Sequence, residues 1–580
     1  MPSLAAAVSV TILYMLPQLT RGAGGYGDAV LMHFDEPSYV ARLVRALQGT
    51  PSMAPWLYEH RLDVSVVPAF VEQALALPFR AAAHLHVPTP SFGSVVVAYR
   101  ALFAFSGVMA VAFALHSIGM PRRLAALAAF WSYADSGLAN YKPFAGLVLG
   151  TLNLPFDRFT NPLVGMSLFF LAWGCMTHTA KDDHHVRAWA VGSGILGGVL
   201  FYVSFYYWTF FVAMSAAAVC VRPARWRPLA ALVGLAALES LPYWLYIHRV
   251  RMSPYYADIL WREELMTSGH VWNQYSNKTL LPLALAALTA WRIRSTGARL
   301  LVVSVIAGLL CFFSPAATGM VIQAAHWHCT LAPMITAACL WSVAHALEPR
   351  CSHVCRAWIG GTCAAALLVG GVLTVVRWDR FAAANPDPGI GANDRAYASA
   401  WRWLRSRAPE GSVVIASELT MGYVPLRTGL YVWAKQHANS DAVSFEEVWD
   451  RYRTLLTLDA DARRELVKRE CAPGGPFSVW FNGLPSDVHR SLEDQGRPPF
   501  DRMRTCSLAN DLVGLSARTN DSDLTAIGVN YRLDYVVRGP NERSWLPAER
   551  IWSMTRVFEA DGVTIDRVKG WRQTDPESGG

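Results

Sequence analysis

Apolar runs return about every 25 to 40 residues as far as residue 377, each parted from the next by a short loop, and this leaves the chain few folds to choose from. A hydrocarbon core about 30 Å thick is crossed by roughly 20 apolar residues of helix. Backbone polar groups inside lipid must pair within the segment, so such runs fold as helices. About eleven spans are expected, near 4–20, 95–118, 123–138, 161–178, 188–204, 205–221, 228–247, 279–292, 299–313, 329–347 and 357–377. The 188–221 pair meets at Phe201-Tyr202-Val203-Ser204-Phe205-Tyr206-Tyr207-Trp208, an aromatic cluster suited to an interfacial belt at a tight hairpin. Beyond residue 377 the residues become those of a soluble protein, although the whole chain is only 16% charged against roughly 25% in soluble domains. The expected fold class is a polytopic α-helical membrane protein with a C-terminal soluble α/β domain. The membrane domain covers 1–377, with 21–94 as its first outer loop, and the soluble domain covers 378–580.

Basic residues set the orientation. Arg122-Arg123, Lys181 with Arg187, Arg222 with Arg225 and Arg227, Arg292 with Arg294 and Arg299, and Arg350 with Arg356 fall in alternate loops. Those loops are assigned to the cytoplasm. An odd number of spans then puts the N-terminus inside and the tail outside, a multi-pass protein of the inner (plasma) membrane. The first run, Leu4 to Leu19, has no basic segment before it and reads as an uncleaved span. The net charge of +8 lies largely in these loops. No nucleic-acid partner is expected, because neither a basic face nor a recognition module is present.

Of the ten cysteines, Cys175, Cys220, Cys311, Cys339 and Cys363 lie in or beside apolar runs, where Cys acts as a small hydrophobe. Cys351-Ser-His353-Val-Cys355 has no second half to complete a metal site. Cys471 and Cys506 stand in the tail, where an extracytoplasmic setting permits a disulfide.

The first outer loop carries the residues of most chemical interest. Asp35-Glu36 follows soon after the first span, and Pro37 comes next. Two adjacent carboxylates beside a membrane must face water, a cation or a reacting group. They read either as a general base or metal ligand, or as the acidic start of a helix with Pro in its first turn. Apolar positions 39, 40, 43, 44 and 47 have helical spacing, and 64–80 is apolar around Glu72 and Arg80. Both stretches are predicted to be amphipathic helices at the outer interface. Later in the loop, Tyr58-Glu59-His60-Arg61 sets a carboxylate beside imidazole and guanidinium. That cluster is either a phosphate-binding group or a surface ion pair.

Two further phrases lie at outer span ends. Arg158 in Phe156-Asp157-Arg158-Phe159-Thr160-Asn161-Pro162 can grip a lipid phosphate or snorkel to headgroups. Gln323, His326 and His328 lie in the loop 314–328. The two histidines are two apart and would not share a helix face, so hydrogen bonding to sugar or phosphate is the better assignment. His184-His185 beside Asp182-Asp183 reads as a solvated loop. No P-loop, dinucleotide glycine pattern, GxSxG or HExxH occurs, which argues against a nucleotide-driven pump and the common hydrolases.

An acidic pair in the first outer loop of a many-span chain resembles the GT-C superfamily of membrane glycosyltransferases. The resemblance extends to Arg158-Phe159-Thr160-Asn161-Pro162, to Thr318-Gly319 with Gln323 and His326-Trp327, and to Tyr531-Arg532-Leu533-Asp534-Tyr535-Val536-Val537-Arg538-Gly539-Pro540. It implies a polyprenyl-phosphate-linked sugar as donor, a glycan, lipid or protein as acceptor, and membrane lipid as a partner. It implies Asp35 as general base, with Glu36 assisting or binding a metal; Glu59, His60, Arg61, Arg158, Gln323 and His326 are assigned as substrate-binding residues from the clusters above. The pair is Asp-Glu rather than Asp-x-Asp, so no cofactor is assigned with certainty, and Mg or Mn stays an open alternative. The competing readings are a transporter or flippase of lipid-linked glycans and a non-catalytic membrane scaffold. A transporter would need charged spans and paired repeats, whereas Glu239 is the main acid within a span here.

Overall fold

Among the described residues, helix dominates the computed structural model, and the five strands all fall after residue 412. The structure describes residues 1–22, 36–50, 53–88, 90–134, 159–181, 184–262, 293–318, 326–347, 396–435, 441–459, 463–464, 466, 502–520, 530–546, 548 and 552–569. Packing divides the chain into two units. One gathers Met1–His33, Ser94–Tyr246 and His270–Pro386; the other gathers Phe34–Gly93, Ile247–Gly269 and Asp387–Gly580. The sequence reading drew its boundary between 377 and 378. Packing instead groups the first outer loop with the tail.

In the first unit, Phe92–Ser117, Asn161–Lys181 and Val186–Val203 are long and apolar enough to cross a membrane. The pair Pro223–Glu239 and Leu241–Arg251, bent by 48°, adds a fourth if it counts as one span. Pro2–Met15, Phe205–Val221, Thr296–Phe312 and Thr330–Ala346 are shorter apolar helices. The expected spans 279–292 and 357–377 lie outside the described residues. Small residues let the helices approach closely. A Cβ at Gly165 would overlap the Tyr207 ring, and one at Gly297 would overlap the backbone of Ile118. Polar side chains pair internally, as apolar surroundings demand: Trp173 Nε1 donates to Ser304 Oγ at 3.1 Å, and Ser193 Oγ to Ala172 O at 3.0 Å. The aromatic hairpin forms at one residue. Ser204 is extended between the helices Val186–Val203 and Phe205–Val221, and Phe201 stacks on Trp208 with centroids 4.5 Å apart.

The second unit is built on a sheet of β1 (Val413–Ile415), β2 (Tyr431–Val432), β3 (Tyr535–Arg538), β4 (Met554–Ala560) and β5 (Val563–Val568), in the order β2-β1-β3-β5-β4. β1 runs parallel to β2 and β3, while β3, β5 and β4 pair antiparallel. β1 and β3 are neighbours inside the sheet. Both are buried, as continuous Val/Ile/Tyr runs in a parallel arrangement should be. The helices Ala398–Arg407 and Phe445–Leu458 belong to the same unit. Cys506 is disulfide-bonded, and Cys471 lies outside the described residues.

The carboxyl ends of the parallel neighbours β1 and β3 lie side by side, and the residues just beyond them, Ser417 and Gly539, leave a seat between them. The Glu542 carboxylate fills it. It accepts from Ser417 N–H at 3.0 Å, Ser417 Oγ at 2.5 Å, Gly539 N–H at 2.9 Å and Tyr397 Oη at 2.6 Å. Gly539 is required because a Cβ there would run into the Tyr397 ring. Glu542→Ala strands these buried donors and should cost about 3 kcal/mol or more. Thermal unfolding of the detergent-solubilised protein, followed by proteolysis of the tail, checks this as a lowered midpoint.

Candidate functional site

The helix that begins at the acid pair is a core element of the second unit. Glu36–Leu47 starts with Glu36 and Pro37, as an acid and a proline in the first turn favour. Val40, Leu43, Val44 and Ala46 are fully buried, and the helix packs on Phe70–His84 and on Glu418–Thr428 of the tail. The amphipathic helices expected from the loop therefore form, and the apolar face of the first lies against protein. Asp35 lies outside the described residues.

Arg45 anchors this helix. Its Nη1 and Nη2 donate to the carbonyls of Gly429 and Leu430 at 2.6 and 2.8 Å, and its Nε donates to Pro55 O at 3.1 Å. Its guanidinium lies 3.4 Å from the centroid of the Tyr431 ring. Burial pulls the Arg45 pKa down to about 10, so it stays charged at neutral pH.

Glu59 and His60 meet the tail. Glu59 accepts from Arg451 Nη2 at 2.8 Å and from the Arg532 backbone N–H at 2.7 Å. Arg451 is 1% exposed. It also donates from Nε to Glu447 at 2.8 Å and from Nη1 to Trp433 O at 2.8 Å, and it lies over the Tyr531 ring. His60 bridges Glu447 through Nε2 at 2.9 Å and Asp63 through Nδ1 at 2.7 Å. Burial works to lower the His60 pKa, but the hydrogen bonds and charges of Asp63 and Glu447 outweigh it and lift the group to about 9. Burial works to raise Glu447, and His60 and Arg451 together hold it below the usual carboxylate range. Arg61 stacks on Tyr58, with its guanidinium 4.1 Å from the ring centroid, and Arg532 stacks on the same residue at 4.5 Å. Backbone pairing runs alongside: Val432 N–H donates to Trp56 O and Ala442 N–H to Val64 O, each at 3.0 Å.

In the first unit, two of the phrases singled out in the sequence converge on one helix. Tyr207 Oη donates to Asn161 Oδ1 at 2.9 Å. Trp327 Nε1 donates to Tyr206 O at 3.0 Å and contacts Thr209 Oγ1 at 3.3 Å. The helix Phe205–Val221 thus holds both Asn161-Pro162 and His326-Trp327. His326 opens the helix His326–Leu347, and Arg158 and Gln323 lie outside the described residues. Among the described residues, no group of three or more His, Cys, Asp or Glu is placed to hold a metal ion.

Sequence reasoning missed Arg451 and Glu447 as partners of the loop. The available signal was their i, i+4 spacing on an otherwise apolar helix face, which marks a local ion pair but not the distant Glu59.

No family model and no curated protein matches the chain. Among solved structures, the Archaeoglobus fulgidus oligosaccharyltransferase tethered with an acceptor peptide matches 93% of this chain and 69% of its own, at 11% identity and a TM-score of 0.49. The archaeal oligosaccharyltransferase AglB of the same organism, in complex with an inhibitory peptide and a dolichol-phosphate, matches 92% and 69%, at 11% identity and a TM-score of 0.43. ArnT from Cupriavidus metallidurans matches 97% of each chain, at 15% identity and a TM-score of 0.42. Likeness this remote carries no residue or activity over to this chain.

Arg451→Met leaves Glu59 and Glu447 without their buried partner and should cost about 3–5 kcal/mol. Limited proteolysis reads this as faster cleavage within 53–93. His60, raised from 6.5 to about 9, adds stability that is fully present below pH 6.5 and is lost as pH rises through 9. The full swing is roughly 3 kcal/mol. Cleavage of the same segment should therefore accelerate between pH 7.5 and 10, and His60→Gln should flatten that dependence.

Proposed function

We propose that this chain is an integral-membrane glycosyltransferase of the GT-C type, moving a sugar from a polyprenyl-phosphate-linked donor to an extracytoplasmic glycan, lipid or protein acceptor. The observation that carries this reading is the setting of the acid pair. It follows an apolar helix, Pro2–Gly22, and leads into a helix whose apolar face is fully packed within an ordered α/β unit. A catalytic carboxylate needs a rigid support next to the medium that delivers its substrate. The apolar helices and the basic residues of alternate loops support a plasma-membrane protein whose tail is extracytoplasmic.

In the reaction, Asp35 takes the proton of the acceptor hydroxyl as its oxygen attacks the anomeric carbon, with Glu36 assisting. The bond from that carbon to the phosphate oxygen breaks on the opposite face, so the configuration inverts. The electron pair leaves with the polyprenyl phosphate, and cationic groups where that charge grows lower the barrier. Arg158, His326 and Arg61 are assigned to this work, and Gln323 to hydrogen bonding with the sugar. Glu59 and His60 act from behind, holding the loop on the tail. A lipid-borne donor also fits the absence of any phosphate-binding glycine loop from the sequence.

Asp35→Asn tests the reading. Transfer from a polyprenyl-phosphate sugar should fall by about 10²–10⁴, while membrane insertion and thermal midpoint stay at wild-type values. Undiminished product from that variant would remove the base and the proposal with it.

A further inference from the structure

Two buried arginines of the second unit are fully engaged. Arg45 spends its guanidinium on three carbonyls, and Arg451 spends its own on two carboxylates and a carbonyl. Arg42 differs. It is 4% exposed, yet its Nε has no hydrogen-bond partner among the described residues. Its recorded contact is the Tyr39 ring, with the centroid 5.8 Å from the guanidinium carbon. Ser38, one turn earlier and 5% exposed, has a buried Oγ that is likewise unpartnered. Residues at i and i+4 share a helix face, so the two orphaned groups stand one above the other at the amino-terminal end of Glu36–Leu47.

A guanidinium nitrogen buried without a partner is expensive, and so is a buried hydroxyl without one. The carboxylate that could neutralise Arg42 is Glu72, which is 3% exposed on the facing helix Phe70–His84. No ion pair joins them among the described residues, and burial lifts the Glu72 carboxyl to about 7 against the opposing charge of Arg42. Glu72 is thus a weak counter-ion at neutral pH, and the positive charge of Arg42 is left largely unanswered.

We infer that Ser38 and Arg42 form a receptor for a phosphate oxyanion. The Arg42 guanidinium supplies charge and a planar set of donors, Ser38 supplies a hydroxyl, and the first turn of the helix adds the positive end of its dipole. Resting on the proposed function, the phosphate is that of the lipid-linked donor. It would be held by the helix that follows the general base, so base and leaving group would be set by one rigid element. Ser38 and Arg42 join the substrate-binding residues, and Glu72 sets the charge behind them.

The test uses full-length protein in nanodiscs, with polyprenyl phosphate, uncharged polyprenol and inorganic phosphate as probes, and binding read by native mass spectrometry. Wild type should retain polyprenyl phosphate over polyprenol. Ser38→Ala should weaken phosphate-dependent binding by about 10-fold and Arg42→Gln by about 100-fold, the range for hydrogen bonds to charged groups. Polyprenol binding should not move, which separates loss of the receptor from loss of the fold. Arg42→Lys keeps the charge and should recover part of the loss. Equal retention of polyprenyl phosphate by Ser38→Ala, Arg42→Lys and wild type would overturn the inference, as would a parallel loss of polyprenol. If wild type ignores polyprenyl phosphate but binds inorganic phosphate in an Arg42-dependent way, the receptor stands and the lipid-linked donor falls. Binding of neither phosphate ends the receptor as well.

Discussion

One buried guanidinium holds the second unit together. Arg451 pairs with both Glu59 and Glu447, and it lies over the Tyr531 ring while doing so. Remove it and two negative charges face each other in a poorly solvated interior. Everything else at that junction follows from its charge. His60 remains protonated because its hydrogen bonds to Asp63 and Glu447 outweigh its burial. Arg532 can donate its backbone N–H because Glu59 is held in place to accept it. The loop between residues 53 and 65 therefore has one conformation dictated by charge balance and a second set of ties, to β2 and to residue 442, dictated by backbone pairing.

This arrangement explains how a long segment following an apolar helix is held in place over its described residues 36–50 and 53–88. Loops of this length ordinarily sample many conformations, because closing them repays no conformational entropy. Here the loop contributes helices to a core instead. Glu36–Leu47 buries nearly all of its apolar side chains, and Arg45 joins its carboxyl-terminal end to the turn before β2 through the carbonyls of Gly429 and Leu430. A helix with both its apolar face and Arg45 committed has little freedom left to tilt or slide.

Much of this was legible in the residues. Apolar runs with basic punctuation gave the helices of the first unit, because lipid solvent permits only internally bonded backbone. The aromatic cluster at 201–208 marked a hairpin, and Ser204 breaks the helix within it. Runs of β-branched residues at 413–415 and 535–537 marked the parallel strands. The pairing of Glu59 with Arg451 was not legible. The partners are 392 positions apart, and a single Glu or Arg carries no local mark of which opposite charge it will meet. The loop's membership in the tail was hidden for a related reason. Periodicity shows that a helix has an apolar face, but the same face suits a bilayer surface and a protein core. The charges of Arg42 and Arg45 favoured the first, and only tertiary packing reveals that both are buried. The acid pair itself was found from position and chemistry, and the structure adds its surroundings downstream from Glu36.

The Glu542 carboxylate has a wider consequence. In open sheets with parallel strands, the gap beyond the strand ends is where a nucleotide's phosphates usually rest. Here that seat is taken by the protein's own acid, gripped by the same kind of main-chain and hydroxyl donors. The tail is, in effect, self-liganded. An incoming nucleotide would have to evict a tethered competitor at very high local concentration. A domain plugged in this way has given up the usual currency of its architecture and serves as a frame for whatever its neighbours deliver.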